Sequence, residues 1–365
     1  SAVISGVDLF KNNLFSTDGK STALTLVLKN EALPEDVIND VRLLIAETSS
    51  DLSLYQIGMP LVSEALVKLT EKDFSRLPPV TLLLIAIILL CLFRKLRYIL
   101  IPLICVGLAL TWTFGLMALL RIPLSMLTMI VPVFLIAVGT AYCLHIVSEY
   151  IACQEETGSP KEVTTRTFSH IAFPTFLAVL TTIIGLGSLF INRIAMIQEF
   201  ALFSCFGMLS ILVIILTFLP AAMSLMPVSS TTQKKEEAPS SLFQRFIDII
   251  IELNLNHQKV TLPIIAVVDL ICLIGILRIR VETNPVGYFK ENTEIKRNFN
   301  DIYQHLSGSF PINVAMENAE ADYFQDPAHL AEIERLQVFL EKPPGVDKTI
   351  SFADYLKLVN YALNK

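Results

Sequence analysis

Apolar positions in this chain gather into long runs separated by short polar stretches, and the runs are too long for ordinary core strands or helices. Six of them, at 77–93, 98–120, 122–147, 171–191, 200–226 and 260–277, approach or exceed the roughly 17–25 residues that a helix needs to cross a hydrocarbon core. The first run opens with Pro78-Pro79, expected in a first helical turn, where missing amide hydrogens are tolerated. Outside these runs the period changes. At the start of the chain, 23–28 is a short β-rich run after the turn signal Asp18-Gly19, and Pro34 opens a helical pattern with Val37, Ile38, Val41, Leu44 and Ile45 on one face. The stretch 52–57 predicts a second strand and 61–69 a helix running into the first span. At the far end, Ile312, Val314 and Met316 alternate as in a half-buried strand, and Asp326-Pro327 begins a helix carrying Leu330, Ile333, Leu336 and Leu340. A strand near 348–350 and a helix from Ser351 follow. The pattern predicts an α-helical polytopic membrane bundle of six spans with a partial α+β subdomain at each end.

Two connectors add detail. Ser159-Pro160-Lys161-Glu162 has capping-box spacing with proline at the first helical position, so a short helix leads into the fourth span. The stretch 228–241 is rich in Ser, Thr, Lys and Glu and reads as a linker, and 243–255 after it reads as an interfacial amphipathic helix. The organisation is therefore 1–76, part of a first extracytoplasmic domain; 77–226, a five-span membrane block; 227–258, a cytoplasmic linker and interfacial helix; 259–280, the sixth span; and 281–365, part of a second extracytoplasmic domain.

Composition agrees with the runs. Hydrophobic residues make up 53% of the chain and charged residues 17%, against about a quarter charged in a typical soluble chain, and mean hydropathy is +0.60. The net charge of −6 is unevenly spread. Residues 1–76 carry 7 Lys/Arg and 11 Asp/Glu, 281–365 carry 8 and 13, and the middle carries 13 and 10. Acidic ends around an apolar middle argue against nucleic-acid binding. Basic residues orient the spans: Arg94, Lys95, Arg97, Lys161, Arg166, Lys234, Lys235, Arg245 and Lys259 fall in one set of loops, and only Arg121, Arg193, Arg278 and Arg280 edge the other. The richer set is expected to be cytoplasmic, which puts both end segments on the outer side of a cell (inner) membrane. The six cysteines lie in or beside spans, so neither a disulfide framework nor a metal site is expected.

Four stretches carry a family resemblance. They are Asn13-Leu14-Phe15-Ser16-Thr17-Asp18-Gly19-Lys20; Phe173-Pro174 through Thr181-Thr182-Ile183-Ile184-Gly185, followed by Ile197-Gln198-Glu199-Phe200 and Phe206-Gly207; Thr283-Asn284-Pro285 through Tyr288-Phe289; and Gly345-Val346 through Ser351-Phe352-Ala353-Asp354-Tyr355. In order and spacing they resemble the resistance-nodulation-division (RND) superfamily, closest to the MMPL and sterol-sensing-domain branch of lipid or hydrophobe exporters. The resemblance implies proton-driven export of a lipid or other hydrophobic substrate. Laid on the family plan, the chain is a central fragment whose spans are helices two to seven, with a second membrane half of the same protein as partner and a homo-oligomer as a further possibility.

Ionisable groups inside a bilayer are costly and point to function by default. Two lie well inside spans, His145 and Asp269. Where the family often carries a proton-relaying acid, this chain reads Gly139-Thr140-Ala141-Tyr142, with alanine at the acid position. His145 lies one helical turn from Ala141, and histidine as a residue type can carry a proton near neutral pH, so it is the candidate replacement. A single hydrogen bond to a neighbouring helix, or contact with substrate, are its other readings. Asp269 is a candidate for coupling or for a helix-to-helix hydrogen bond. Thr181, Thr182, Gly185 and Ser188 form a small polar face suited to close helix packing. There is no phosphate-binding glycine loop and no Gly-x-Ser-x-Gly elbow, so neither an enzyme nor a cofactor is expected. Ala141 also leaves open a lipid-sensing protein that binds sterol-like ligands without pumping, or a scaffold for other proteins.

Overall fold

The computed structural model describes residues 15–16, 18, 20–29, 34–48, 52–154, 159–226, 241–279, 281, 283–306, 310–320 and 322–363. Eleven α-helices occur among them: α1 (Pro34–Glu47), α2 (Met59–Phe93), α3 (Leu96–Leu119), α4 (Val131–Gln154), α5 (Pro160–Gly187), α6 (Ala195–Ser224), α7 (Ser241–Asn256), α8 (Gln258–Ile276), α9 (Glu294–His305), α10 (Pro327–Leu340) and α11 (Phe352–Leu363). Six helical stretches are long and apolar enough to cross a membrane, one in each run expected from the hydropathy pattern. Packing divides the chain into two compact units, one of Val67–Arg278 and one of Ser1–Leu66 with Ile279–Lys365.

In the membrane unit, α6 packs against both α3 and α5, and α4 lies against α3, α5 and α6. The shared core holds Cys105, Ala109, Leu135, Cys143, Ile146, Phe203, Met208, Ile211, Ile215 and Leu219. Helices can approach this closely because glycine lies at the crossings. A Cβ at Gly207 of α6 would come 2.5 Å from Leu135 Cδ1 and 2.7 Å from Cδ2, and one at Gly139 of α4 would come 2.7 Å from Ile211 Cδ1. Arg94 and Arg121 adopt left-handed backbone at φ 52° and 54° just past the ends of α2 and α3.

Helix boundaries differ from the sequence expectation in two places. Pro78 and Pro79 do not begin a helix; they lie inside α2, which runs unbroken from Met59. The helix expected from Pro160 does not stop before the fourth span but is its first part. It begins where the sequence placed it, with the Ser159 side chain accepting from the Glu162 amide at 3.3 Å.

The second unit has a small core of Val62, Val286, Phe289 and Phe299, with Ile57, Leu66 and Ile295 packed around it. Polar ties do much of the rest. Arg42 meets the buried Glu64 at 3.3 Å, and Tyr55 donates to Asp301, which His305 approaches at 3.4 Å. Burial, then the hydrogen bond and charge of Asp301, push the Tyr55 hydroxyl up to about 12. Asn284 caps the turn Pro285–Tyr288 by accepting from the Val286 amide at 2.9 Å. Ser351 and Asp354 form a reciprocal cap on α11, and Gln337 of α10 bonds to both.

The expected α+β character of the end segments is not found. No strand ladder forms among the described residues, and the one bridge pairs Phe15 with Thr22. That bridge closes a turn in which Ser16 donates to Asp18 at 2.5 Å and the Lys20 amide donates to the same carboxylate, which holds Asp18 below its usual range. The stretches 23–28, 52–57, 312–316 and 348–350 are irregular and join no strand ladder among the described residues. Alternation selects an extended backbone, yet a strand needs a neighbour for its amides and carbonyls. None of these segments has a partner strand among the described residues. The linker 228–240 and Arg280 lie outside the described residues.

Candidate functional site

Helix α4 has two faces. Leu135, Ile136, Gly139, Thr140, Cys143, Ile146, Val147 and Tyr150 are buried against the bundle. Ala137, Ala141, His145 and Ser148 form a stripe that this chain leaves uncovered. His145 and Ala141 therefore share one exposed line, as their four-residue spacing requires. His145 makes no hydrogen bond or ion pair among the described residues. Thr140 faces inward and donates to the Ile136 carbonyl at 2.6 Å, and Tyr142 shares a 3.2 Å hydrogen bond with Thr182 of α5.

The four-residue face of α5 is split by the structure. Thr182 points to α4, but Thr181, Gly185 and Ser188 are exposed. Thr181 and Ser188 donate back to their own helix, to Ala178 and Gly185 carbonyls at 2.9 and 2.7 Å. Nothing lies within 4 Å of a Cβ built on Gly185. Three of these four positions are thus not buried in the described bundle. Asp269 is exposed on α8, a helix with no buried residue, and has no polar partner among the described residues. His145 and Asp269 are not brought together with each other.

A groove of about 670 Å³ opens between α2 and α3, lined by Phe74, Ser75, Pro78, Pro79, Leu110, Thr111, Phe114, Gly115 and Pro132. The proline pair explains its chemistry. Pro78 and Pro79 have no amide hydrogen, so the carbonyls of Phe74 and Ser75, four residues back, lose their helical donors. The rest of the wall is mostly apolar, with Phe74 edge-on to Phe114 at 5.9 Å, and the hydroxyls of Ser75 and Thr111 donate back to carbonyls of their own helices. A lipid-like molecule with an apolar body and a polar end matches such a lining. The sequence pattern contained the prolines but placed them at a helix start, which hid the groove.

The pattern also missed a cluster at the end of α4. His170 Nδ1 of α5 lies 3.0 Å from Glu149 Oε1, and Cys153 Sγ lies 3.8 Å from the same oxygen. The signal was half visible, since Glu149 and Cys153 are four apart on a helix, but His170 is joined to them only by the α4–α5 packing. Gln198, within one of the strings that carry the family resemblance, acts locally. It donates to the Asn192 and Phe190 carbonyls at 2.7 and 3.3 Å and fixes the turn into α6.

Six apolar helices, four of them knitted into a close-packed bundle, define a polytopic membrane protein. Residues 2–250 match the MMPL family, and the chain belongs to that family. It is also 29% identical over 191 residues to a protein of Methanocaldococcus jannaschii named "Putative membrane protein", a match covering 51% of this chain and 48% of the other. The chain thus spans about half the length of the curated relative it matches.

Proposed function

We propose that this chain is part of an RND-type exporter that moves a lipid or other hydrophobic molecule, driven by the proton gradient of a cell (inner) membrane. The observation that carries the proposal is the uncovered stripe of α4, where His145 stands one turn from Ala141. An imidazole on an otherwise apolar span is stable only beside polar groups or water, and there it can take up and release a proton near neutral pH. A second membrane half of the full-length protein would cover the stripe. Proton uptake would then shift the packing of α4 against its neighbours. Substrate would enter from the bilayer through the groove at Phe74, Pro78 and Phe114, with both end segments on the outer side. No chemical conversion of the substrate is involved.

The test is flux of a fluorescent single-chain lipid in vesicles holding the full-length protein, with and without a proton gradient. Gradient-dependent flux that stops in His145→Ala and falls in Gly115→Phe supports the proposal. The second change is informative because a Cβ at Gly115 meets nothing within 4 Å, so a phenyl ring would fill the groove without disturbing the bundle. Flux that survives His145→Ala removes the relay role. One observation favours a second reading: alanine at position 141 leaves the family's acid position without a carboxylate, as a lipid sensor that does not pump would tolerate. Gradient-independent lipid binding with no flux would establish that sensor instead.

A further inference from the structure

The geometry points to a binding site for a divalent transition-metal ion of the zinc class, formed by Glu149 and Cys153 of α4 and His170 of α5. One ligand atom from each of the three residues lies within 4.8 Å of the other two. Around tetrahedral zinc, ligand atoms at bond lengths of about 2.0–2.3 Å are separated by about 3.3–3.8 Å. The observed 3.0 Å between His170 Nδ1 and Glu149 Oε1, and 3.8 Å from that oxygen to Cys153 Sγ, bracket this spacing. The third edge, between His170 and Cys153, falls within the same 4.8 Å.

The donor set selects the metal. Thiolate, imidazole and carboxylate together suit zinc, whereas magnesium and calcium favour oxygen alone. Charge favours it as well. An ionised Glu149 and a Cys153 thiolate carry two negative charges, which a divalent cation cancels, leaving a neutral site at the edge of an apolar bundle. The Cys153 thiol proton leaves to water as the sulfur–metal bond forms, and no electron moves. His170 would give the lone pair of Nδ1 and keep its proton on Nε2.

Burial is graded in the way such a site needs. Cys153 is 5% exposed, while the side chains of Glu149 and His170 are 32% and 54% exposed. The sulfur is held by the bundle and the other two donors face an entry path, with a fourth position left for water. Glu149 and Cys153 are spaced four apart, so the pair is preset by the helix, and His170 adds the contact that fastens α5 to α4. A metal here would restrain α4 one turn from His145. The site itself depends only on the bundle and stands whether or not the protein pumps.

The test uses the purified full-length protein in lipid nanodiscs. Cobalt, a spectroscopic stand-in for zinc, is expected to bind at one ion per chain and to give a thiolate-to-cobalt charge-transfer band, which zinc then quenches by displacement. Cys153→Ser removes the band, and His170→Ala or Glu149→Gln weakens cobalt binding at least about 10-fold, as loss of a ligand or its support does. Cys272→Ser, at an exposed cysteine on α8, leaves the band intact. If Cys153→Ser fails to fold, zinc is expected to protect Cys153 of the native protein from a maleimide, read by mass spectrometry, with protection lost in His170→Ala. No band in the native protein, a band that persists in Cys153→Ser, or maleimide labelling indifferent to zinc would each overturn the assignment. A hydrogen-bonded Glu149–His170 pair beside an inert thiol would then be all the cluster is.

Discussion

Helices α6 and α8 are equally suited to a membrane by composition, with mean hydropathy of 2.6 and 2.3 over their most apolar stretches, yet 56% of the first stretch is buried and 0% of the second. The difference lies in shape. Helix α6 carries Ala201, Ser204, Gly207 and Ser210 at its crossings, all buried, and larger neighbours from α3, α4 and α5 fill the space they leave. Helix α8 presents Val, Leu and Ile around most of its circumference, and a Cβ on its Gly275 meets nothing within 4 Å. Lipid tails are as apolar as leucine, so hydrophobicity alone gives spans no reason to associate; close packing of small residues and polar contacts do. Hydropathy marks what enters the membrane, and small residues mark what packs there.

Four measurements test this contrast, the largest effect first. Asp269→Leu replaces the one ionisable group in the middle of α8, and in a membrane-insertion assay of that segment it should favour insertion by about 3–4 kcal/mol. A shift near zero would mean that the carboxylate already reaches water from its place on the helix. Gly207→Ala should destabilise the bundle by about 1–3 kcal/mol through overpacking against Leu135. The matched Gly275→Ala should be neutral or add up to about 1 kcal/mol of helix propensity. Equal thermal shifts for the two would remove the distinction between α6 and α8.

The third measurement contrasts the membrane bundle with the unit held partly by polar ties. Tyr55 is neutral in the folded state to a higher pH than in the unfolded chain, about 12 against 10.0. Its contribution is therefore whole below pH 10 and lost as pH rises through 12. Local stability around Tyr55, read by hydrogen exchange, should fall over that window, and Tyr55→Phe should remove the dependence at a cost of about 1 kcal/mol. Last, Tyr142→Phe breaks the bond to Thr182 between α4 and α5 and should cost about 0.6 kcal/mol, the usual size for a polar contact between spans. A loss several times larger would mean that polar contacts, not glycine crossings, hold the bundle.

The same distinction explains what could be read in the sequence. All six spans were legible, because a long apolar run has few other solutions. So was the start of α5 at Ser159-Pro160, since capping is local chemistry between residues three apart. Pro78-Pro79 was misplaced, because helix propensity cannot see that the residues from Met59 onward continue one helix through the pair. The strands expected at 23–28 and 312–316 failed for a related reason: alternation is local, but a strand exists only with a partner. Within the candidate site, the shared face of Ala141 and His145 followed from helical spacing. The groove and the meeting of His170 with Glu149 and Cys153 did not, since both come from how separate helices lie together.

Gly207 and Leu135 make one such meeting with a consequence for how this sequence can change. The isobutyl group of Leu135 occupies the space that a Cβ on residue 207 would take. The two positions therefore share a single volume, and neither can be varied freely while the other stays fixed. A change to alanine at 207 should be tolerated when 135 becomes smaller in the same molecule, so that two mutations harmful alone are mild together. Evolution along this pair would then run through a narrow pass, and divergent sequences with a larger residue at the first position should carry a smaller one at the second.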